Sequence, residues 1–233
     1  MTDKPVLALV PGLLCDAALW RPQLEAFEGS YDCRVADITG HDSMAAIAGA
    51  VLAALPERFA LAGLSMGGYV AFEMLRQAPQ RIERLALLDT RASGDTPEDK
   101  ARREALLALA RDGGFDDVIE RLLPLFLHED RLGDAPLVDA VRAMAHRIGP
   151  AAFERQTLAL LGRAETLSML PDIACPTLIL CGRQDALTPL AYHEVMAERI
   201  SGAELVVIED CGHLTTMERP EAVNAALAAW LTR

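Results

Sequence analysis

Phe59-Ala60-Leu61-Ala62-Gly63-Leu64-Ser65-Met66-Gly67-Gly68-Tyr69-Val70 is the stretch whose reading decides the fold. Its first four residues form an apolar run with the length and character of a buried strand. Residues 69–76 have the character of a helix. Between them Gly63-Leu64-Ser65-Met66-Gly67 fits G-x-S-x-G, the sharp strand-to-helix turn that lifts a serine Oγ off the end of a sheet. Gly63 and Gly67 stand where the chain doubles back and a Cβ would collide with the neighbouring element. Ser65 is expected at strained backbone angles. The plainer reading, a serine capping a helix, leaves the surrounding glycines without a purpose.

A serine hydroxyl is a poor nucleophile at neutral pH and needs a base, which in turn needs an orienting acid. With this turn the expected chain order is Ser, Asp or Glu, His. Asp210-Cys211-Gly212-His213-Leu214 follows the apolar run Leu205-Val206-Val207-Ile208, which places His213 on a loop at a strand end. Cys181-Gly182-Arg183-Gln184-Asp185 follows Thr177-Leu178-Ile179-Leu180, which does the same for Asp185. In a parallel sheet the C-terminal strand ends share one edge, so loop residues far apart in sequence converge there. Asp89, in Leu85-Ala86-Leu87-Leu88-Asp89, is the rival acid. Cys211 is the rival nucleophile, but no glycine turn presents it. His41, His128, His146 and His193 read as ordinary polar or turn histidines, and Arg91 and Arg163 as surface charges. For the oxyanion hole, one backbone N–H is expected from Met66, at the positive end of its helix. The second is expected from Leu13, in the loop Val10-Pro11-Gly12-Leu13-Leu14 after the first strand.

These pieces, with Asp37 to Ser43 and the segment from Met217 to Ala222, resemble the α/β-hydrolase superfamily in its small branch of carboxylesterases, enol-lactonases, carbon–carbon hydrolases and cofactor-free haloperoxidases. Many relatives carry His-Gly where this chain has Pro11-Gly12. The donor there is a backbone N–H, which the change leaves available. The resemblance implies an α/β fold, a doubly wound and mostly parallel sheet, with a triad of Ser65, Asp185 and His213. It implies hydrolysis of small to medium carboxylic esters, or of lactones or thioesters, through an acyl-enzyme. Carbon–carbon hydrolysis of a diketone-like metabolite is the alternative, and a low-turnover ligand receptor retaining the triad is another.

Strand patterns at 5–10, 33–38, 58–62, 83–88, 176–181 and 204–208 alternate with helical ones at 16–28, 43–54, 66–78, 190–200 and 218–231. That alternation indicates a doubly wound sheet. Residues 92–172 hold no convincing strand but four amphipathic stretches, at 96–112, 115–127, 134–147 and 150–162, with Gly113-Gly114 and Gly149-Pro150 as punctuation. The expectation is a core of residues 1–91 and 173–233, and a helical cap of residues 92–172 folded over the serine. The cap's Leu106, Leu107, Leu122, Leu123, Phe126 and Leu127 are candidates for an apolar acyl pocket or for the cap's own core.

Composition sets bounds. The 233 residues are 52% hydrophobic, with a mean hydropathy of +0.19, enough for a sheet covered on both faces. No apolar run approaches the ~20 residues of a bilayer span. Met1-Thr2-Asp3-Lys4 leads directly into a strand pattern, with no sign of a signal peptide. Five cysteines, odd in number and without metal-site spacing, read as reduced thiols of a cytoplasmic protein. A net charge of −12 argues against nucleic acid or an anionic membrane as a partner. A small-molecule ester is the expected partner. No dinucleotide fingerprint, Walker loop or His-rich motif is present, so no cofactor or metal is expected.

Overall fold

A computed structural model describes residues 4–233. Residues 1–3, where the reading against a signal peptide begins, lie outside the described residues. Six parallel strands form one sheet: β1 (Val6–Val10), β2 (Asp32–Val35), β3 (Phe59–Leu64), β4 (Ile82–Leu88), β5 (Thr177–Gly182) and β6 (Glu204–Ile208), in the spatial order β2-β1-β3-β4-β5-β6. Every strand pairing among the described residues is parallel.

Side chains alternate across β1. Leu7 and Leu9 enter one core with Trp20 and Trp230, while Val6, Ala8 and Val10 enter the other with Ile47 and Phe72. Both faces of the sheet must therefore be covered by helices. On the first face lie α1 (Arg21–Phe27) and the C-terminal helix (Pro220–Leu231). On the second lie α2 (Met44–Ala54) and α3 (Met66–Gln77). The chain runs outward from β1 to β2, then crosses back to β3. The C-terminal ends of β1 and β3 consequently flank the point where the winding reverses, the usual ligand crevice of such sheets.

Helices expected from periodicity break where proline dictates. The 16–28 pattern divides into a 3₁₀ turn, Ala17–Trp20, and then α1, with Pro22 in its first turn. A proline lacks the N–H that a continuous helix would need there. Asp16 caps the 3₁₀ turn by accepting the Ala18 N–H at 2.8 Å.

Between β4 and β5 the chain forms α4 (Pro97–Arg111), α5 (Phe115–Phe126) and α6 (Ala135–Leu161). Thr96 and Asp99 form a capping box at the start of α4. Helix α6 is kinked at Gly149, whose φ of 75° only glycine adopts without strain, and Pro150 restarts the helix. The strongly amphipathic α5 buries Phe115, Val118, Ile119, Leu122, Leu123 and Phe126. These helices share the core that contains Leu9, Leu64 and Leu88, so the insertion packs on the sheet rather than standing off as a separate body. The remaining helices are α7 (Leu190–Arg199), α8 (Thr215–Glu218) and α9 (Pro220–Leu231).

Candidate active site

Ser65 immediately follows β3 and has φ 55° and ψ −113°. A non-glycine residue there is strained by about 1–3 kcal/mol and persists only when its surroundings hold it. Its N–H donates to the Leu88 carbonyl at 2.9 Å, and its own carbonyl accepts from the Gly68 N–H at 2.9 Å and the Thr90 hydroxyl at 2.8 Å. A Cβ on Gly63 would run into the Gly67 carbonyl, and one on Gly67 into the Val10 carbonyl. Both obstacles are backbone and cannot swing aside. Among the described residues, the non-glycine residues with positive φ are Leu14, Ser65, Asp89 and Asp210. They follow β1, β3, β4 and β6, all at one sheet edge.

The three residues selected from the sequence meet at that edge. His213 Nε2 lies 2.8 Å from Ser65 Oγ, and His213 Nδ1 lies 2.8 Å from Asp185 Oδ2. Asp185 also accepts from the Thr188 hydroxyl at 2.6 Å, the Thr188 N–H at 2.9 Å and the Leu187 N–H at 2.8 Å. Burial alone would push this carboxyl up. His213 and the hydrogen bonds from Thr188 outweigh burial and hold it below the usual carboxylate range. An ionised Asp185 accepts the Nδ1 proton, which leaves Nε2 as the basic nitrogen facing Ser65.

Asp89 stands elsewhere in the site. Its Oδ1 accepts the Gly182 N–H at 3.0 Å and its Oδ2 the Thr215 hydroxyl at 2.5 Å. Burial first, then the nearby charge of Asp185, raises its pKa well above the ordinary value. Asp89 thus ties together the loops that carry Asp185 and His213 without touching the imidazole. Cys211 is fully buried, and burial followed by Glu218 pushes its thiol up, away from the thiolate form a nucleophile needs.

Leu13 and Met66 both line the cavity that Ser65 opens onto. Met66 is the first residue of α3, where unpaired N–H groups and the helix dipole favour negative charge. The Leu13 loop is fastened from the insertion: the Leu14 N–H donates to Gln156 Oε1 at 3.1 Å, and Gln156 is fully buried on α6. The His213 loop is fastened too. The Phe126 carbonyl accepts the His213 and Leu214 N–H groups, and the Phe126 ring stacks on the imidazole with centroids 6.1 Å apart. Glu218 accepts the Gly212 N–H at 3.0 Å and the His128 N–H at 2.8 Å.

Two expectations from the sequence are corrected. Arg91 and Arg163 are not surface charges: each side chain is 4% exposed, and both bind Asp95. His193 is fully buried in the sheet-edge core, where its Nε2 accepts the Thr90 N–H at 3.1 Å. Burial lowers its pKa to about 4, so it stays neutral and serves as an acceptor.

The cavity and the solvent at its open mouth together make about 630 Å³ of free space. Much of the cavity's apolar wall comes from Leu106, Leu122, Phe126, Phe153 and Leu160 of the insertion, with Leu13, Met66 and Leu187 from the core. Leu107, Leu123 and Leu127 are buried but do not line it. They belong to the packing of the insertion itself.

An entirely parallel, doubly wound sheet with a serine on the turn after its central strand defines a hydrolase class. The chain belongs to the α/β-hydrolase family, whose sequence profile matches residues 7–226. It is 28% identical over 238 residues to a pimeloyl-[acyl-carrier protein] methyl ester esterase of Aromatoleum aromaticum, covering 94% of this chain and 95% of that one. It is 24% identical to 3-oxoadipate enol-lactonase 2 of Acinetobacter baylyi, covering 99% and 90%. A thermophilic esterase from Thermogutta terrifontis, solved with malate bound, superposes with a TM-score of 0.88 at 33% identity, covering 99% of this chain and 91% of that one. Among the described residues, no helix is long and apolar enough to cross a membrane.

Proposed function

We propose that the chain is a serine hydrolase that cleaves small to medium carboxylic esters, or lactones or thioesters of similar size, through an acyl-enzyme on Ser65. The observation that carries this reading is the continuous line from Asp185 through His213 to Ser65, with both hydrogen bonds at 2.8 Å. His213 takes the Ser65 proton as Oγ attacks the acyl carbonyl. Asp185 holds the tautomer and steadies the imidazolium. The oxyanion forms against the Leu13 and Met66 N–H groups. The protonated His213 then gives its proton to the leaving alcohol. A water, deprotonated in turn by His213, attacks the acyl carbon and releases the acid with Ser65 restored.

In this reading, residues 92–172 act as a cap that supplies the apolar wall and excludes water from the acyl group. The ester-hydrolysing relatives support an ester as the substrate class. The unpaired cysteines and the absence of a membrane-crossing helix among the described residues are consistent with a cytoplasmic enzyme acting on a small molecule. The acidic charge agrees with a partner that is neither nucleic acid nor an anionic membrane. The test is turnover of a p-nitrophenyl ester series together with fluorophosphonate labelling. Turnover abolished in Ser65→Ala, with the label on Ser65, supports the reading. Labelling of Ser65 without turnover of any ester would favour a receptor that retains the triad.

A further inference from the structure

Three arginines, Arg91, Arg102 and Arg103, line the cavity that Ser65 opens onto, and among the described residues no Asp or Glu lines it. They belong to a cluster with Arg163, Asp95 and Asp99. Asp95 Oδ1 takes Arg91 and Arg163, and its Oδ2 takes Arg103. Asp99 Oδ1 takes Arg102, and its Oδ2 takes Arg91. All four carboxylate oxygens are thus engaged, while four guanidinium charges face only two carboxylate charges. Arg91 keeps a buried Nε without any partner. Arg103, 16% exposed, donates only its Nε to Asp95, which leaves both terminal nitrogens free. The Tyr69 and Tyr192 rings lie under Arg163 and Arg91 at 4.1 and 5.0 Å and carry no charge that would offset the guanidinium groups.

Arg91, Arg103 and Arg163 are largely buried, while Arg102, 38% exposed, is solvated at the rim. Three buried guanidinium charges thus stand against two carboxylates beside an apolar wall, an excess that an anion would offset. A guanidinium fork matches a planar carboxylate with two parallel N–H···O bonds. The chain as a whole is strongly acidic, so any attraction for an anion must be local, and this cluster is where it resides.

We propose, on the reading of Ser65 as the acyl nucleophile, that the cavity takes an acyl chain ending in a carboxylate. In this arrangement Arg102 and Arg103 bind the remote carboxylate and the apolar wall holds the methylenes between it and the scissile carbonyl. The substrate class is then a half-ester of a dicarboxylic acid.

The test compares kcat/KM for monomethyl esters from monomethyl succinate to monomethyl suberate with that for the corresponding neutral dimethyl esters. Within each protein the neutral ester is the reference. At the best chain length the half-ester is expected to lead by about ten-fold or more, mainly through KM, as suits a charge-assisted bidentate contact. Arg102→Gln and Arg103→Gln are expected to bring that ratio toward one. Arg103→Glu is expected to turn the preference toward methyl esters with a terminal ammonium. If the arginines only strap α4 to the loop after β4, the variants lower the thermal midpoint and leave the ratio unmoved. That result, or a wild-type ratio near one, overturns the proposal while leaving the serine reading intact. If no ester turns over at all, calorimetry on the Ser65→Ala protein decides separately. Binding of monomethyl adipate that exceeds that of dimethyl adipate and is lost in Arg103→Gln supports the carboxylate site. Equal binding overturns it.

Discussion

Asp89 and Asp185 stand on the loops that follow neighbouring parallel strands, and only Asp185 reaches the imidazole. Asp89 instead spans from the Gly182 N–H to the Thr215 hydroxyl, bracing the two loops on which Asp185 and His213 depend. The pair separates two roles that sequence position alone leaves interchangeable. Asp185→Asn is expected to lower kcat by about 10³–10⁴-fold with little change in folding, because an amide cannot enforce the tautomer. Asp89→Asn keeps both hydrogen-bonding positions and is expected to cost no more than about ten-fold in kcat. A larger loss in Asp89→Asn than in Asp185→Asn, measured on one ester, would reverse the assignment.

Gln156 is expected to act as a positioning residue for the loop of Leu13, the proposed oxyanion donor. Gln156→Leu leaves the buried Leu14 N–H without an acceptor, an expected cost of about 1–3 kcal/mol. If Leu13 donates to the oxyanion, kcat falls by about ten-fold or more while KM moves less. A purely structural role would lower the thermal midpoint and leave kcat alone.

The arginine cluster is expected to contribute to how the fold responds to acid. Burial would raise the Asp95 carboxyl, but Arg103 and Arg163 outweigh it and hold it at about 2. An unfolded aspartate titrates near 3.9. The folded pKa is the lower one, so the unfolded chain binds more protons as pH falls. This contribution is fully present above about pH 4 and is lost as pH falls toward 2. Its size is on the order of 2 kcal/mol. Denaturant unfolding at a series of pH values should show the slope between pH 4 and 2 reduced in Asp95→Asn. An unchanged slope would mean that the cluster does not carry the acid sensitivity.

Ser65 holds positive φ, and in the proposed reading that strain presents its Oγ to the cavity. Ser65→Gly, which adopts that conformation freely, is expected to be inactive and yet at least as stable as the parent, by up to about 1 kcal/mol. A clear drop in thermal midpoint would indicate that the hydroxyl's contacts outweigh the strain.

Strands, turn and site loops were legible in the sequence because their signals are local. A β-branched or leucine run ending in a glycine turn is short enough to read directly, and parallel order then brings Ser65, Asp185 and His213 to one edge. What stayed hidden is pairing at a distance. Arg163 looks like any surface arginine until Asp95, 68 positions earlier, is found beside it. The grip of Gln156 on Leu14 spans 142 positions, and the Phe126 carbonyl that fixes the His213 loop leaves no mark in side-chain patterning. His193 lies in a helix of mixed polarity, and nothing adjacent indicates that its ring faces the core.

Rapid quenching of the protein with a slowly deacylated ester, followed by digestion and mass spectrometry, tests the acyl-enzyme most directly. The expected product is the peptide containing Ser65 carrying the mass of the acyl group, formed before free acid accumulates and missing in His213→Ala. Ester hydrolysis at full rate with Ser65 never acylated, or with the acyl group on another side chain, would contradict it.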